Sequence, residues 1–467
     1  MATINGTSGD DNLVGTLDDD EINGLTGNDT MEGLAGADHF NGGPDSDTVV
    51  YALSPGAVTV DLASGTGTRN DAALDTYVGV ENAIGSAFND LLAGDAGTNV
   101  LSSGPGDDTL HGAAGADQLD GGNGSDFANF QGSGEAVTVD LLAGTASGGD
   151  AEGDVLTSIE NLYGSSNDDS LTGSDIRNII GGELGNDTIV GNGGDDSLSG
   201  EDGVDNLSGG DGNDRLIGGA GADTILGGIG TDSVDAGSEN DIVSGEAGDD
   251  SIVGGAGDDQ IDGGIGNDIV EGAAGADTVT GGAGIDTAYY ATSTGGVTVD
   301  LAAGTGTGGD AEGDALLGIE QLYGSTVADR LAGDAGNNTL WGNAGNDILV
   351  GGAGADFLKG GTGNDTFVYA NVTESTVPVA GKDTIADFTA GDRIDLSAID
   401  ADGDASNGDT AFAFVGSLFV GQVAQVAVVA YDDGRQGVYI GIDGDDNPES
   451  IITVYAGHAL TAADFVL

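Results

Sequence analysis

From residue 6 onward, an apolar side chain falls at every ninth position: Leu13, Ile22, Met31, Phe40 and Val49. The period fills 6–50 without a gap and returns over 85–129, 164–289 and 324–368. Together these blocks hold 29 units and 261 residues, and the ninth-position residue is apolar in all of them, from Leu13 to Phe367. Its neighbours on either side are often Thr, Ser or Asn, so each unit reads as a short strand with one face turned inward and the other to water. One such strand cannot bury its apolar face alone, and successive units must stack. Two units make one coil with a turn at each end, and stacked coils build two parallel sheets. The pattern therefore predicts an all-β fold.

The rest of the unit follows the pattern G-G-x-G-x-D-x-U-x, with U the apolar position. Gly at positions 1, 2 and 4 permits the positive φ of a tight turn and close backbone approach to an ion. Position 6 is Asp in 26 units and Asn in three, Asn99, Asn178 and Asn338. An Asp that merely formed an Asx-turn could be Asn equally well, and the 26-to-3 bias points instead to a carboxylate used as a ligand. The candidate metal ligands are the position-6 acids whose unit also has Gly at position 4. They are Asp11, Asp29, Asp38, Asp108, Asp117, Asp126, Asp187, Asp196, Asp205 and Asp214, followed by Asp223, Asp232, Asp250, Asp259, Asp268, Asp277, Asp286, Asp347, Asp356 and Asp365. Asp20, Asp47, Asp90, Asp169, Asp241 and Asp329 lack that Gly and are left out.

Twenty-nine such units in strict register resemble the RTX family, the hemolysin-type calcium-binding nonapeptide repeat proteins secreted by Gram-negative bacteria. The resemblance covers all four blocks. It implies a parallel β-roll solenoid with Ca²⁺ held between turns two units apart, where carbonyl and carboxylate oxygens suit a hard cation. If each ion joins units i and i+2, a five-unit block holds about three ions and the fourteen-unit block about twelve, on the order of twenty in all.

Three segments of 34 residues separate the blocks, 51–84, 130–163 and 290–323, and they align with one another without gaps. Each carries VTVDL near its start and a later V/I-E-N/Q. Acids recur at Asp61, Asp140 and Asp300, at Asp71, Asp150 and Asp310, at Asp75, Asp154 and Asp314, and at Glu81, Glu160 and Glu320. The inserts read as wider loops that close one roll and open the next, their acids either binding further Ca²⁺ or capping in contact with solvent. The unit after each insert begins Gly-Ser, and the next carries the Asn. These read as restart units, where a complete calcium turn lacks a preceding partner.

After Val368 the glycine period stops. The region 369–467 carries DTIADF from Asp383, GDRIDLS from Gly391, VYIGIDGD from Val438 and the terminal Asp464-Phe465-Val466-Leu467. It is similar to the C-terminal module of serralysin-type metalloproteases, a resemblance that implies a β-rich cap on the roll and an uncleaved signal for the type I secretion apparatus. Asp400, Asp402 and Asp404 imitate the start of an EF-hand loop, but Ala405 and Ala411 replace its Gly and bidentate Glu.

Composition sharpens this picture. Of the 467 residues, 81 are acidic and 8 basic, a formal charge of -73, and Cys is absent. Nucleic acid is excluded as a partner and an anionic membrane surface is disfavoured, because both attract proteins through Lys and Arg. The best apolar run, 411–430, contains Gln422, Gln425 and two Gly and reads as strands, so no membrane span is expected. Residues 1–5 show neither a basic n-region nor an apolar h-region, so no Sec-type signal is expected, which fits type I export. The only histidines are His39, His111 and His458, none within HExxH, and no G-x-S-x-G occurs. The protein is therefore expected not to be an enzyme. It is expected to be a secreted, Ca²⁺-folded structural or adhesive component of a cell surface, surface layer or biofilm matrix, with cell-surface polysaccharide among its candidate partners. The alternatives are an ice- or surface-binding array, or an enzyme with an unrecognised site in the inserts or C-terminal module.

Overall fold

A computed structural model describes residues 1–402, 410–417, 423–444 and 447–467. Asp404 and Ala405, the middle of the EF-hand-like run, lie outside the described residues, as does Asp445. The chain forms two compact units, Met1–Ser233 and Val234–Leu467.

In the first unit every repeat contributes a strand at its positions 7–9, and within a block each strand pairs in parallel with the one two repeats on, the last two strands of a block pairing with insert strands instead. Asn12–Val14 lies beside Thr30–Glu32 with Leu13 opposite Met31, and Thr3–Asn5 lies beside Glu21–Asn23 with Ile4 opposite Ile22. Alternate repeats thus feed opposite sheets. The position-8 side chains Ile22, Met31, Phe40, Leu101 and Leu198 are buried between the sheets, while positions 7 and 9 remain exposed or half-buried except at Gly181. Beyond Thr188 the strands lengthen to six residues, as in Thr188–Gly193, because pairing continues through the following turn (Asn192 opposite Gly210). The all-β parallel roll read from the sequence is the fold observed.

The inserts differ from the wide loops expected of them. In 130–163, Thr138–Asp140 pairs in parallel with Ser170–Thr172 ahead of it, while Val155–Thr157 pairs in parallel with Gln118–Asp120 behind it. A short strand, Thr145–Ser147, runs antiparallel between them and joins the two. Insert 51–84 repeats this through Thr59–Asp61, Thr66–Thr68 and Thr76–Val78. The middle strand lets the chain double back, so the insert supplies paired rungs in both directions and leaves no sheet edge open. A single 3₁₀ turn in each insert buries Ala72 or Ala151.

The second unit carries repeats of the same kind up to Thr287–Tyr289, then the third insert, with Thr298–Asp300, Thr305–Thr307 and Ala315–Leu317 in the same arrangement. In the C-terminal region Thr384–Phe388 pairs with Phe357–Lys359, and Arg393–Asp395 with Thr366–Val368, so each sheet of the last block gains one more rung. An antiparallel sheet of Gln425–Ala430, Gln436–Gly441 and Ser450–Ala456 adds to the first of these, and Phe465–Val466 to the second. Phe388, Ile394, Val438, Ile452 and Val454 fill the cap's core. No helix among the described residues is long and apolar enough to cross a membrane.

Candidate metal centre

Each motif Asp sits at the mouth of its turn, and its main chain and side chain bond to different neighbours. The N–H of Asp187 donates to Oδ1 of Asp205 at 2.7 Å, and that of Asp205 to Oδ1 of Asp223 at 2.8 Å. The parallel row runs from Asn178 to Asp196 to Asp214 to Asp232, each step 2.7–2.8 Å. In the second unit the same bonds link Asp241 to Asp259 to Asp277, Asp250 to Asp268 to Asp286, and Asp347 to Asp365. In the first block they link Asp11 to Asp29 to Asp47, and in the second Asp108 to Asp126. All the candidate ligands are buried except Asp11, which is half-buried.

The second carboxylate oxygen separates the repeats into two classes. In the first two units of every run, an N–H of the same turn satisfies it. Thr7 and Thr16 donate to Asp11 and Asp20, Ser86 to Asp90, Ser165 to Asp169 and Ser325 to Asp329, at 2.5–2.7 Å. In the second unit after each insert, Asp95, Ser174 and Asp334 donate to Oδ1 of Asn99, Asn178 and Asn338, at 2.7–2.8 Å. In later units Oδ2 is buried without a hydrogen-bond partner at Asp29, Asp38, Asp108, Asp117, Asp187, Asp196, Asp205, Asp259, Asp277, Asp347 and Asp356. Buried carboxylate oxygens normally have partners, and an unpaired one carries a large desolvation penalty.

The surroundings of these oxygens suit a hard cation. A Cβ built on Gly200, at position 1 of the unit, would meet Oδ2 of Asp205 and, at 2.8 Å, the carbonyl oxygen of Gly218 two units on. Gly191 stands in the same way to Asp196 and, at 2.5 Å, to the Gly209 carbonyl. A side-chain oxygen and a main-chain oxygen from units i and i+2 therefore border one glycine surface that no side chain occupies. Among the described residues no three acidic or imidazole side chains converge, so a cation here would draw on backbone carbonyls beside the motif carboxylate, an oxygen-only donor set fit for Ca²⁺. When bound, the ion supplies positive charge between turns that otherwise repel.

The carboxylates register this directly. Burial pushes Asp187, Asp196, Asp277 and Asp347 up from 3.8 to about 7, against the downward pull of the N–H each accepts. Neighbouring aspartates add to the rise, such as Asp169 and Asp205 around Asp187.

The RTX calcium-binding nonapeptide repeat model matches overlapping windows across 3–49, 77–128 and 163–288, and the peptidase M10 serralysin C-terminal model matches 330–467. The chain is an RTX calcium-binding repeat protein with a serralysin-type C-terminal domain. No curated protein sequence matches it. Among solved structures, it is similar to the AlgE6R3 subunit of the Azotobacter vinelandii mannuronan C5-epimerase, with 33% identity over 31% of this chain and 76% of that one and a TM-score of 0.24. The AlgE6R2 subunit of the same enzyme shares 26% identity over 33% of this chain and 81% of that one, at a TM-score of 0.22. The extracellular lipase LipA of Serratia marcescens shares 20% over 53% of this chain and 40% of that one, at 0.19.

Other acids enter the RTX ladder from outside the repeats. Where a block ends, Asp38 donates its N–H to Oδ1 of Asp75 at 2.7 Å, Asp117 to Asp154 at 2.7 Å and Asp277 to Asp314 at 3.1 Å. Asp47, Asp126 and Asp286 donate to Glu81, Glu160 and Glu320, each at 2.9 Å. In the serralysin-type region Asp383 and Asp392 accept from Asp356 and Asp365 at 3.0 and 2.9 Å. These acids are the insert and cap continuations of the motif row. Of the other insert acids, Asp61, Asp140 and Asp300 cap local turns, accepting the N–H three residues on.

Asp383 and Asp392 were detectable beforehand, standing nine residues apart like Asp356 and Asp365 and 27 residues beyond them. The insert acids recur in all three inserts, but nothing in the sequence pairs them with particular repeats. Asp47, set aside for lacking the position-4 glycine, has the same unpartnered Oδ2, since Asp45 takes the turn's positive φ of 86° itself. Asp400 and Asp402 meet at Thr410, whose N–H and hydroxyl donate to them at 3.4 and 2.9 Å.

Proposed function

We propose that this chain is a secreted structural or adhesive component of a cell surface, surface layer or biofilm matrix, folded outside the cell by Ca²⁺. One observation carries the ion part of the reading. The motif carboxylate keeps a buried, unpartnered oxygen only from the third unit of each run, as at Asp29, Asp108, Asp187 and Asp347, the first two units filling it with an N–H of their own turn. The ligands on this reading are the candidate aspartates from the third unit of each run onward, with on the order of twenty ions bound, and Asp11, in a first unit, drops out because the Thr7 N–H fills its Oδ2.

Without Ca²⁺, carboxylates in register repel one another, and the single row of position-8 side chains is a thin core to set against that. In a low-Ca²⁺ cytosol the chain stays extended and passes to the type I secretion apparatus through its serralysin-type end. Outside, free Ca²⁺ of about 10⁻⁴–10⁻³ M, the range of extracellular modules, folds it. Binding to the folded form alone couples ion affinity to fold stability. The repeat-dominated architecture supports a structural role rather than a catalytic one, and matrix material such as cell-surface polysaccharide is its partner.

Far-ultraviolet circular dichroism in EGTA and then in excess Ca²⁺ tests the folding claim. A β spectrum that is complete in EGTA and unchanged by Ca²⁺ would sink it. Fractionating cells that secrete the protein tests the second claim, and recovery wholly in the culture fluid would count against a surface role.

A further inference from the structure

On the outer face at the third insert, four neighbouring rungs carry Tyr289, Tyr323, Trp341 and Lys359 at the same register. The rings of Tyr323 and Trp341 lie 3.8 Å apart between centroids, and those of Tyr289 and Tyr323 5.6 Å apart. All three rings are half-buried and Lys359 is exposed. Together with Asn343 and Gly361, Tyr323, Trp341 and Lys359 line a groove of about 230 Å³.

The row is peculiar to this insert. At the corresponding rungs of the second insert stand Asn129, Tyr163, Gly181 and Ser199, and at those of the first Val50, Ile84, Ser102 and Asp120. The second insert carries a single stacked pair, Phe127 and Tyr163, and the first has no aromatic at these rungs, so packing of the rungs does not require the row. The row also holds the chain's single Trp and one of its 8 basic residues. Lys359 forms no ion pair within 4.0 Å among the described residues. The carboxylate beside it, Asp387, is engaged by the N–H groups of Gly360 and Gly361 at 3.0 and 2.9 Å.

We propose that this groove binds a polysaccharide, one pyranose lying over Tyr323 and Trp341 with Lys359 drawing a uronate carboxylate. The negative face of an aromatic ring attracts positively polarised groups at its surface, which the C–H face of a pyranose presents. An open groove with a few polar groups at one end orients such a ring. An ammonium at that end selects an acidic sugar over a neutral one, with Asp387 beside it held by the Gly360 and Gly361 N–H groups. The inference names the partner chemistry for the matrix role proposed above and rests on that reading.

Trp341 is the only Trp, so the emission of the whole chain reports on this groove. The full chain, saturated with Ca²⁺, is titrated with trigalacturonate and with maltotriose at fixed free Ca²⁺. The expected result is a saturable change in emission with trigalacturonate at a concentration severalfold below that needed for maltotriose. Lys359→Ser, the residue found at the equivalent rung of the second insert, should abolish that preference while leaving the circular dichroism unchanged. No saturable change with either sugar overturns the proposal, as does an unaltered preference in Lys359→Ser. Circular dichroism on the same samples reads Ca²⁺-driven folding separately, so a folded chain with an unresponsive Trp341 overturns the groove and leaves the folding claim standing.

Discussion

Asp38 donates its backbone N–H to Asp75, 37 residues on, at 2.7 Å, in the same way that Asp20 donates to Asp38 across 18 residues. An insert acid thus occupies the place of a repeat acid, and the turn cannot tell the two apart. The oxygen left over on each carboxylate then decides what that place can do.

At Asp75 and Asp314 the leftover oxygen is taken by a tyrosine. Tyr51 donates to Asp75 at 2.7 Å and Tyr290 to Asp314 at 2.8 Å, whereas Phe130 at the equivalent site leaves Oδ2 of Asp154 unpartnered. Tyr290→Phe should therefore destabilise the Ca²⁺-loaded protein by about 1–3 kcal/mol, the usual penalty for orphaning a buried polar group. Phe130→Tyr should stabilise it by about 1 kcal/mol. Thermal melts in saturating Ca²⁺ check both, and a Phe130→Tyr that lowers the melting temperature would refute the equivalence.

Exchange of acid and amide should destabilise the protein at both Asp205 and Asn99, but only at Asp205 should it change the ion count. Asp205→Asn keeps an acceptor for the Asp187 N–H but loses the unpartnered anionic oxygen. The bound Ca²⁺ should fall by one per chain in native mass spectrometry. At free Ca²⁺ about 100-fold above Kd, stability should fall by about 2.7 kcal/mol. Asn99 already donates its amide to the Glu81 carbonyl at 2.6 Å. Asn99→Asp should add no ion and should lower the melting temperature, because a carboxylate then faces that carbonyl.

The raised carboxylates set a pH dependence for the metal-free chain. In the fold Asp187, Asp196 and Asp277 titrate near 7, against 3.8 as their ordinary value. Between those values the folded state holds more protons than the unfolded one, so its stability rises as pH falls. The contribution is fully present below about 4 and is lost as pH climbs through about 7. Protein freed of Ca²⁺ on a chelating resin should gain β structure by circular dichroism on going from pH 8 to pH 5. A loss of β structure over that range would contradict the burial of these groups. In the same window Ca²⁺ binding should release protons, measurable in a weakly buffered titration.

Gly212 has a φ of 152°, and a Cβ there would run into the Gly194 carbonyl of the turn two units back. Gly212→Ala should destabilise the Ca²⁺-loaded roll by more than about 1 kcal/mol. Gly134 lies in an insert with nothing within 4 Å of a built Cβ, and Gly134→Ala should leave the melt within about 0.5 kcal/mol. Equal effects at the two sites would argue against stacked turns.

Much of this protein is legible before folding. The nine-residue period alone yields the strand at positions 7–9, the buried row from Leu13 to Phe367, the two sheets and the acid of each turn, because every unit solves the same local problem of turn, strand and apolar face. Even the restart units show themselves, through the Ser that follows the first glycine and through Asn99, Asn178 and Asn338. Tertiary structure alone decided which oxygen each carboxylate keeps, since that depends on whether a turn lies two units behind it. It joined Asp38 to Asp75 and Asp47 to Glu81, across 37 and 34 residues, because the antiparallel strand of the insert folds the chain back onto the block it has just left. It also set Tyr289 beside Tyr323, with the whole insert looped out between them. A repeat specifies its own turn through bonds only a few residues long. What stands on the next rung is a through-space relation, and where the period breaks the sequence carries no measure of it.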